Sequence, residues 1–259
     1  MTMTARLFTF YLCFIVSLNA LAQLSPPGLG ETKTAFWSAI GVKQKLDEKN
    51  SSTTYVGMGR ISGTEGNDLF NHPSIIVLNQ EFYHAVNSKW KYSYALSYRR
   101  QHDYDEGFKE KVSQNVNQEF RIYGRLAYTV NLGRLKWTTT LRQEMRKFYT
   151  HNFSHVPEDL QLRTRLKTQL LMPLDDDAEN SIMGSAESLF TIADDSKAGW
   201  SGPAYKESRF CLYYCYSPKE LPITFDVGYM NDLVGYGNHM YDASYLAVDI
   251  IIKNPFSHS

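Results

Sequence analysis

The chain has 259 residues, with 27 Lys and Arg balanced by 27 Asp and Glu, and 3 Cys. This neutrality leaves no basic footprint for nucleic acid as a partner. Aromatic content of 14% at a mean hydropathy of −0.38 suits apolar residues spread thinly along strands, and the length allows one large β domain.

Residues 1–22 read as a secretory leader. Arg6 is their only charge, 7–21 is an apolar run, and Ala20-Leu21-Ala22 is a small-x-small site that predicts cleavage after Ala22. A membrane helix needs about 20 apolar residues and different flanks. Cys13 would leave with the leader, so the exported chain keeps Cys211 and Cys215. Four positions along a strand separate them by about 13 Å, beyond the roughly 7 Å reach of a disulfide, so both are expected as free thiols. The expected organisation is a leader at 1–22, an N-terminal lead or first strand at 23–33, and a barrel domain at 34–259.

Strand signals then recur nearly to the end. Phe36, Ile40, Val42 and Leu46 alternate before the polar turn Asp47-Glu48-Lys49-Asn50. The segment 52–61 follows, and 62–72 is a polar loop. A hairpin about Asn87-Ser88 joins 74–86 to 89–101, where Trp90, Tyr92, Tyr94, Leu96 and Tyr98 alternate with Lys91, Ser93, Ala95, Ser97 and Arg99.

Beyond a charged loop at 102–116 lies the clearest pattern, 119–146. Phe120, Ile122, Leu126, Tyr128 and Val130 alternate with Glu119, Arg121, Tyr123, Arg125 and Thr129. After Asn131-Leu132-Gly133-Arg134 the pattern restarts, with Leu135, Trp137, Leu141 and Met145 against Lys136, Arg142, Glu144 and Arg146. A period of two across a Gly-containing turn predicts a β-hairpin with one apolar and one charged face. Each arm is about twice the common strand length of soluble domains.

A loop at 147–158 leads to 160–170, where Leu162, Thr164 and Leu166 alternate with Arg163, Arg165 and Lys167. A turn at 173–180, a strand at 182–192 and a loop at 194–204 come next. Phe210, Leu212, Tyr214 and Tyr216 share one face. Ser217-Pro218-Lys219-Glu220 turns the chain into Ile223, Phe225, Val227 and Tyr229. The loop 235–240 precedes the last strand, 241–252, and Asn254-Pro255-Phe256.

Short and long connections therefore alternate, as in outer-membrane barrels. The expected fold is an all-β, transmembrane, antiparallel up-and-down β-barrel. Eleven strand segments can be read, whereas bacterial single-chain barrels have even numbers. Either 24–33 supplies a twelfth strand or one of the eleven segments is not a strand, so the count is set at about 12, with 10 as the fallback. Trp90 and Trp137 follow short turns and Trp37 lies near the opposite end, the positions of interface aromatics. A final strand followed by Phe256 resembles the signal carried by substrates of the barrel-assembly machinery. The expected location is the outer membrane, with its lipid and, during insertion, that machinery as partners.

The chain resembles the family of bacterial proteins catalogued as domain of unknown function 2490. The residues that carry the resemblance are Phe36-Trp37-Ser38, Gly41-Val42-Lys43-Gln44-Lys45-Leu46, the strand 92–100, Leu162-Arg163-Thr164-Arg165-Leu166 and Met172-Pro173-Leu174. The resemblance implies an outer-membrane barrel and brings no catalytic residues with it.

The predicted inward face gathers Arg99, Arg121, Arg125, Arg142, Arg146, Arg163, Arg165 and Lys167, with Lys91 and Lys136, against Glu119, Glu144 and Glu187. Asp226 and Asp249 are further candidates. Charges in a narrow lumen must be paired or hydrated. They form either a salt-bridged plug or a narrow basic passage for anionic solutes. Glu119 beside the Arg142 strand favours the plug.

An enzyme acting on outer-leaflet lipid would need a nucleophile and a base at the rim. Ser154-His155, and His239 with Ser244, are the nearest matches, and neither pair has an evident orienting acid. His151 and His155 make a metal pair only on a helix. Asp175-Asp176-Asp177 and Asp194-Asp195 lack the Gly and terminal Glu of a calcium loop. No cofactor or metal is expected. Alternation alone does not say which face is inside, so a soluble exported barrel binding a hydrophobic ligand is the remaining alternative.

Overall fold

The period-two segments form strands of one continuous sheet, in a computed structural model that describes residues 32–62, 68–102, 116–235 and 240–256. The strands are β1 (Thr34–Lys45), β2 (Asn50–Ile61), β3 (His72–Ala85), β4 (Trp90–His102), β5 (Val116–Leu132) and β6 (Leu135–Tyr149). They continue with β7 (His155–Pro173), β8 (Asn180–Asp195), β9 (Gly199–Trp200), β10 (Ala204–Tyr216), β11 (Ile223–Val234) and β12 (Tyr241–Lys253). Sequential neighbours pair antiparallel from β1 to β8. β8 also pairs with β10, and β12 pairs with β1, so the sheet closes on itself.

The 12 strands among the described residues agree with the sequence expectation, and the one beyond the eleven read from the sequence lies in the expected loop 194–204. It is β9, two residues paired only to the end of β8. The closed ring therefore holds eleven long strands. Up-and-down alternation around an odd ring must bring two like-directed strands together once. That seam is β1 against β12, which are parallel from Thr34↔Ser244 to Lys43↔Lys253, a correction to the wholly antiparallel expectation. The leader and most of the 23–33 segment lie outside the described residues.

The turns are set by local chemistry. Gly133, at φ 62°, takes the left-handed conformation in the two-residue β5–β6 turn. Asp47 accepts from the amides of Lys49 and Asn50, both at 2.8 Å, and Asn87 accepts from those of Lys89 and Trp90. These Asx turns fix hairpin register at one end of the barrel. At the other end the β6–β7 connection is shorter than expected. Residues 155–158 belong to β7, so only 150–154 connect the strands. His155 pairs across to Tyr149 through a register shift that extends the ladder.

Alternation now acquires an inside and an outside. Ile40, Met58, Leu96 and Ile122 are each more than half exposed, whereas Glu144, Arg209 and Arg165 are no more than 3% exposed. The apolar face is the outer wall, the reverse of a soluble barrel with an apolar pocket. The interior divides into two sectors. On β1–β3 and β10–β12 it is largely apolar, built around Trp37, Ile75, Tyr213, Met230 and Tyr245. On β4–β8 it is largely charged, and Glu81 of β3, Glu207 and Arg209 of β10 and Asp232 of β11 extend the charge beyond those strands.

Trp37 corrects another expectation. It is fully buried inside the ring, and its indole Nε1 donates to Asp249 Oδ1 at 3.0 Å. Its ring covers Gly57, where an added Cβ would lie 2.3 Å from it, and Tyr213 covers Gly228 in the same way at 2.4 Å. Glycine on the facing strand is what lets each inward aromatic lie flat against the wall. Trp90 and Trp137 do face outward, near the short turns. Trp90 packs on Tyr128, and Trp137 Nε1 donates to Thr168 Oγ1 at 2.7 Å.

Candidate functional site

The charged sector begins with a problem of register. Arg125, Arg142 and Arg165 are successive partners across β5, β6 and β7, and Arg121 lies opposite Arg146. Like charges set side by side on one face repel. Removing several guanidinium groups from water at once is tolerable only when carboxylates are interleaved with them. Two glutamates meet that need.

Glu119 takes Arg146 in a two-pronged contact, with Nε–Oε1 at 2.8 Å and Nη2–Oε2 at 2.7 Å. It takes Arg121 through Nε at 2.8 Å, and Arg99 lies at 4.0 Å. Glu144 ion-pairs with Arg142 at 2.6 Å, Arg165 at 2.7 Å and Arg121 at 3.5 Å. Arg121 thus links the two glutamates. Arg165 continues to Glu187 at 3.4 Å, and Arg209 joins Glu187 (3.9 Å), Glu207 and Asp232 (3.4 Å). The result is one chain of alternating charge from β4 around to β11.

A smaller cluster abuts it. Glu81 pairs with Arg125 at 3.2 Å and accepts from Ser93 Oγ at 2.6 Å and Tyr123 Oη at 2.8 Å. The Arg142 guanidinium stacks 3.6 Å above the Tyr123 ring, joining the two groups through a cation–π contact.

The structure places every expected lumen residue on the inner face. Arg99, Arg121, Arg142, Arg146 and Arg165 are buried, as are Glu119 and Glu144. Arg125, Arg163 and Glu187 are half-buried on the same face, and Lys167 lies directly opposite Glu187. On the Arg142 strand the residue that pairs with Glu119 is Arg146. Sequence reading missed Glu81, Tyr123, Glu207, Arg209 and Asp232. Their inward parity was available from alternation, whereas their convergence from distant strands was not.

Asp226 and Asp249 are fully buried register partners on β11 and β12, on the apolar side. Cys215, opposite Asp226, and Cys211 are free thiols on the inner face. At the rim, His155 Nδ1 lies 2.9 Å from Asp159 Oδ2, a carboxylate shared with Lys147. The histidine therefore has an acid partner unforeseen in the sequence, within an exposed ion-pair cluster. His239 lies outside the described residues. Among the described residues no group of three His, Cys, Asp or Glu could hold a metal ion.

The arrangement is a closed barrel with packed interior charges. The family model described as Protein of unknown function (DUF2490) matches residues 34–241. The chain belongs to this family. The DUF2490 match runs from β1 to the first residue of β12, so it covers both interior sectors. One solved structure, described as a bacterial polysaccharide outer membrane secretin, is similar at a TM-score of 0.37 and 8% identity, over 77% of this chain and 73% of that one. No curated protein matches.

Proposed function

We propose that the protein is an integral outer-membrane β-barrel closed by its own side chains, acting as a structural or anchoring element of the envelope. The observation that carries this reading is the inside-out distribution of polarity on an edgeless ring. Every long strand exposes large apolar side chains on its outer face, and all the buried charged residues lie on the inner one, beside the packed sector around Trp37 and Tyr213. Hydrocarbon is the solvent that favours such an outer face, and a closed barrel satisfies the backbone there. Outward Trp90 and Trp137 beside the short turns support an interfacial position. The leader supports export.

Cell fractionation tests the proposal. Recovery in the outer membrane with heat-modifiable gel mobility is expected, and recovery in the soluble periplasmic fraction would overturn it.

A second reading, a narrow anion passage, draws on one observation: Arg99, Arg121, Arg142, Arg146, Arg165 and Arg209 outnumber Glu119, Glu144, Glu187, Glu207 and Asp232 in the ion-pair chain. Purified protein in planar bilayers decides between the two. The closed reading expects no steady conductance. The passage reading expects an anion-selective current that weakens in Arg163→Glu/Arg165→Glu.

A further inference from the structure

At the end of the ring where the short turns lie, the inner face carries lysines. Lys43 on β1, Lys91 on β4, Lys136 on β6 and Lys253 on β12 all have inward parity and are half-buried. Lys43 and Lys253 are direct register partners across the parallel seam, so two ammonium groups stand side by side on one face, which costs free energy. Lys43 lies within electrostatic reach of Lys91, Lys136 and Lys253, and Lys91 of Lys136. Four cations therefore converge on one mouth from strands distributed around the wall.

The neighbouring acids are largely committed elsewhere. Asp47 is held by Asn50 Nδ2 at 2.6 Å and Asp175 by Asn180 Nδ2 at 2.6 Å. Asp176 pairs with Arg134 at 3.1 Å, and Asp177 with Lys219. Deeper in, Glu81 is held by Arg125, Ser93 and Tyr123 and also acts on Lys91. Asp226 acts on Lys253, whose ammonium also donates to Ser217 Oγ. Lys91 Nζ sits 5.0 Å over the Tyr83 ring.

We propose that this vestibule binds a soluble phosphoryl anion at the short-turn mouth. Lysine ammonium groups are compact, strongly hydrated donors suited to phosphate as point charges. Clustered in a recess with low-dielectric walls, they focus positive potential on a multivalent anion. Bound phosphate relieves the Lys43–Lys253 repulsion that the seam enforces. The strands separate these side chains from lipid around the outer wall, so the ligand is a phosphate-bearing solute rather than a lipid headgroup. The inference goes beyond the structural role and holds for an open or a closed lumen.

Full-length protein in zwitterionic detergent provides the test, read by the midpoint of its heat-modifiable gel transition. Inorganic pyrophosphate at millimolar concentration is expected to raise the midpoint in a saturable way, whereas sodium chloride at matched ionic strength leaves it unchanged. Lys43→Met/Lys253→Met is expected to raise the midpoint without ligand and to weaken the pyrophosphate response by about tenfold or more, as loss of two charge contacts implies. Lys91→Met/Lys136→Met offers the same readout should the first variant not fold. Lys49→Met/Lys89→Met, in the adjoining turns, retains the full response. Equal shifts from chloride, or a response that survives both inward pairs, would overturn the proposal. So would a lysine-dependent shift produced only by phosphatidic acid in the micelle, because that assigns the site to lipid.

Discussion

Arg165 and Glu144 meet across β7 and β6 with Nε 2.7 Å from Oε1, in an interior that leaves the glutamate 1% exposed. The same carboxylate holds Arg142 and Arg121. Its removal would take the ion-pair carboxylate from Arg142 and leave Arg121 with Glu119 and Arg165 with Glu187. Glu144→Ala is expected to lower stability by about 3–5 kcal/mol, the cost of an uncompensated buried charge. Urea unfolding in detergent, followed by loss of the compact gel form, measures it. Glu144→Gln, which keeps the shape, should fall between the variant and the parent.

Removing both partners bears on permeability. Glu144→Ala/Arg165→Ala takes out a facing acid and base at the centre of the plug, and conductance in planar bilayers is expected to appear where the parent has none. Silence in a correctly folded double variant would place the seal elsewhere in the lumen.

The aromatic lids on glycine make a second stability test. A Cβ at Gly57 would approach the Trp37 ring at 2.3 Å, and Trp37 also donates to Asp249. Gly57→Ala is expected to cost about 1–3 kcal/mol by overpacking. The penalty should shrink when Trp37→Leu is added, giving a favourable coupling in the double-mutant cycle. Simple additivity would contradict the packing described.

Trp37, Trp90 and Trp137 should also differ in contact with lipid. Brominated-lipid quenching of single-tryptophan variants is expected to affect Trp90 and Trp137, which face outward, and to spare Trp37, which is fully buried. Quenching of Trp37 would reverse the assignment of inner and outer faces on β1.

The short turns carry a pH signature. The Asp47 carboxyl is held below the usual carboxylate range, first by the Asn50 side chain and then by the Lys49 and Asn50 amides. A depressed carboxyl contributes stability above its unfolded value of about 3.9 and loses it as pH falls through the lower folded value. Asn50 amide protection against hydrogen exchange should therefore hold from neutral pH to about pH 4 and fall away below it. Asp47→Asn should make that protection independent of pH in the same window. Asp175, held down first by Asn180, is expected to behave alike.

The sequence disclosed most of the wall and little of the seam. Alternation along 119–146 suffices to pair Phe120 with Ile122 outside and Arg121 with Glu119 inside, because a strand has only two faces. Gly133 fixes where that hairpin turns. Closure has no comparable local sign. The ends of β1 and β12 read like any other strand, and their meeting follows from the number of strands between them. For the same reason Glu81 and Tyr123, brought together from β3 and β5, left no motif. The apolar sector leaves no distinct sign because its inward positions are themselves apolar, as in Ala35, Trp37, Ile75 and Met230, and such residues resemble the lipid-facing set. His155 reads as a loop residue because Pro157 and the polar residues around it mask the start of β7.

The parallel seam would also determine how the ring is threaded through a bilayer. β1 and β12 run in the same direction, so Thr34 and Lys253 lie on opposite faces of the membrane that the barrel would occupy. A protein module appended ahead of Thr34 and another appended after Lys253 would begin in different compartments, with the barrel as the rivet between them. An even-stranded ring returns both attachments to one compartment. In this odd ring a single polypeptide can hold something on each side of the envelope.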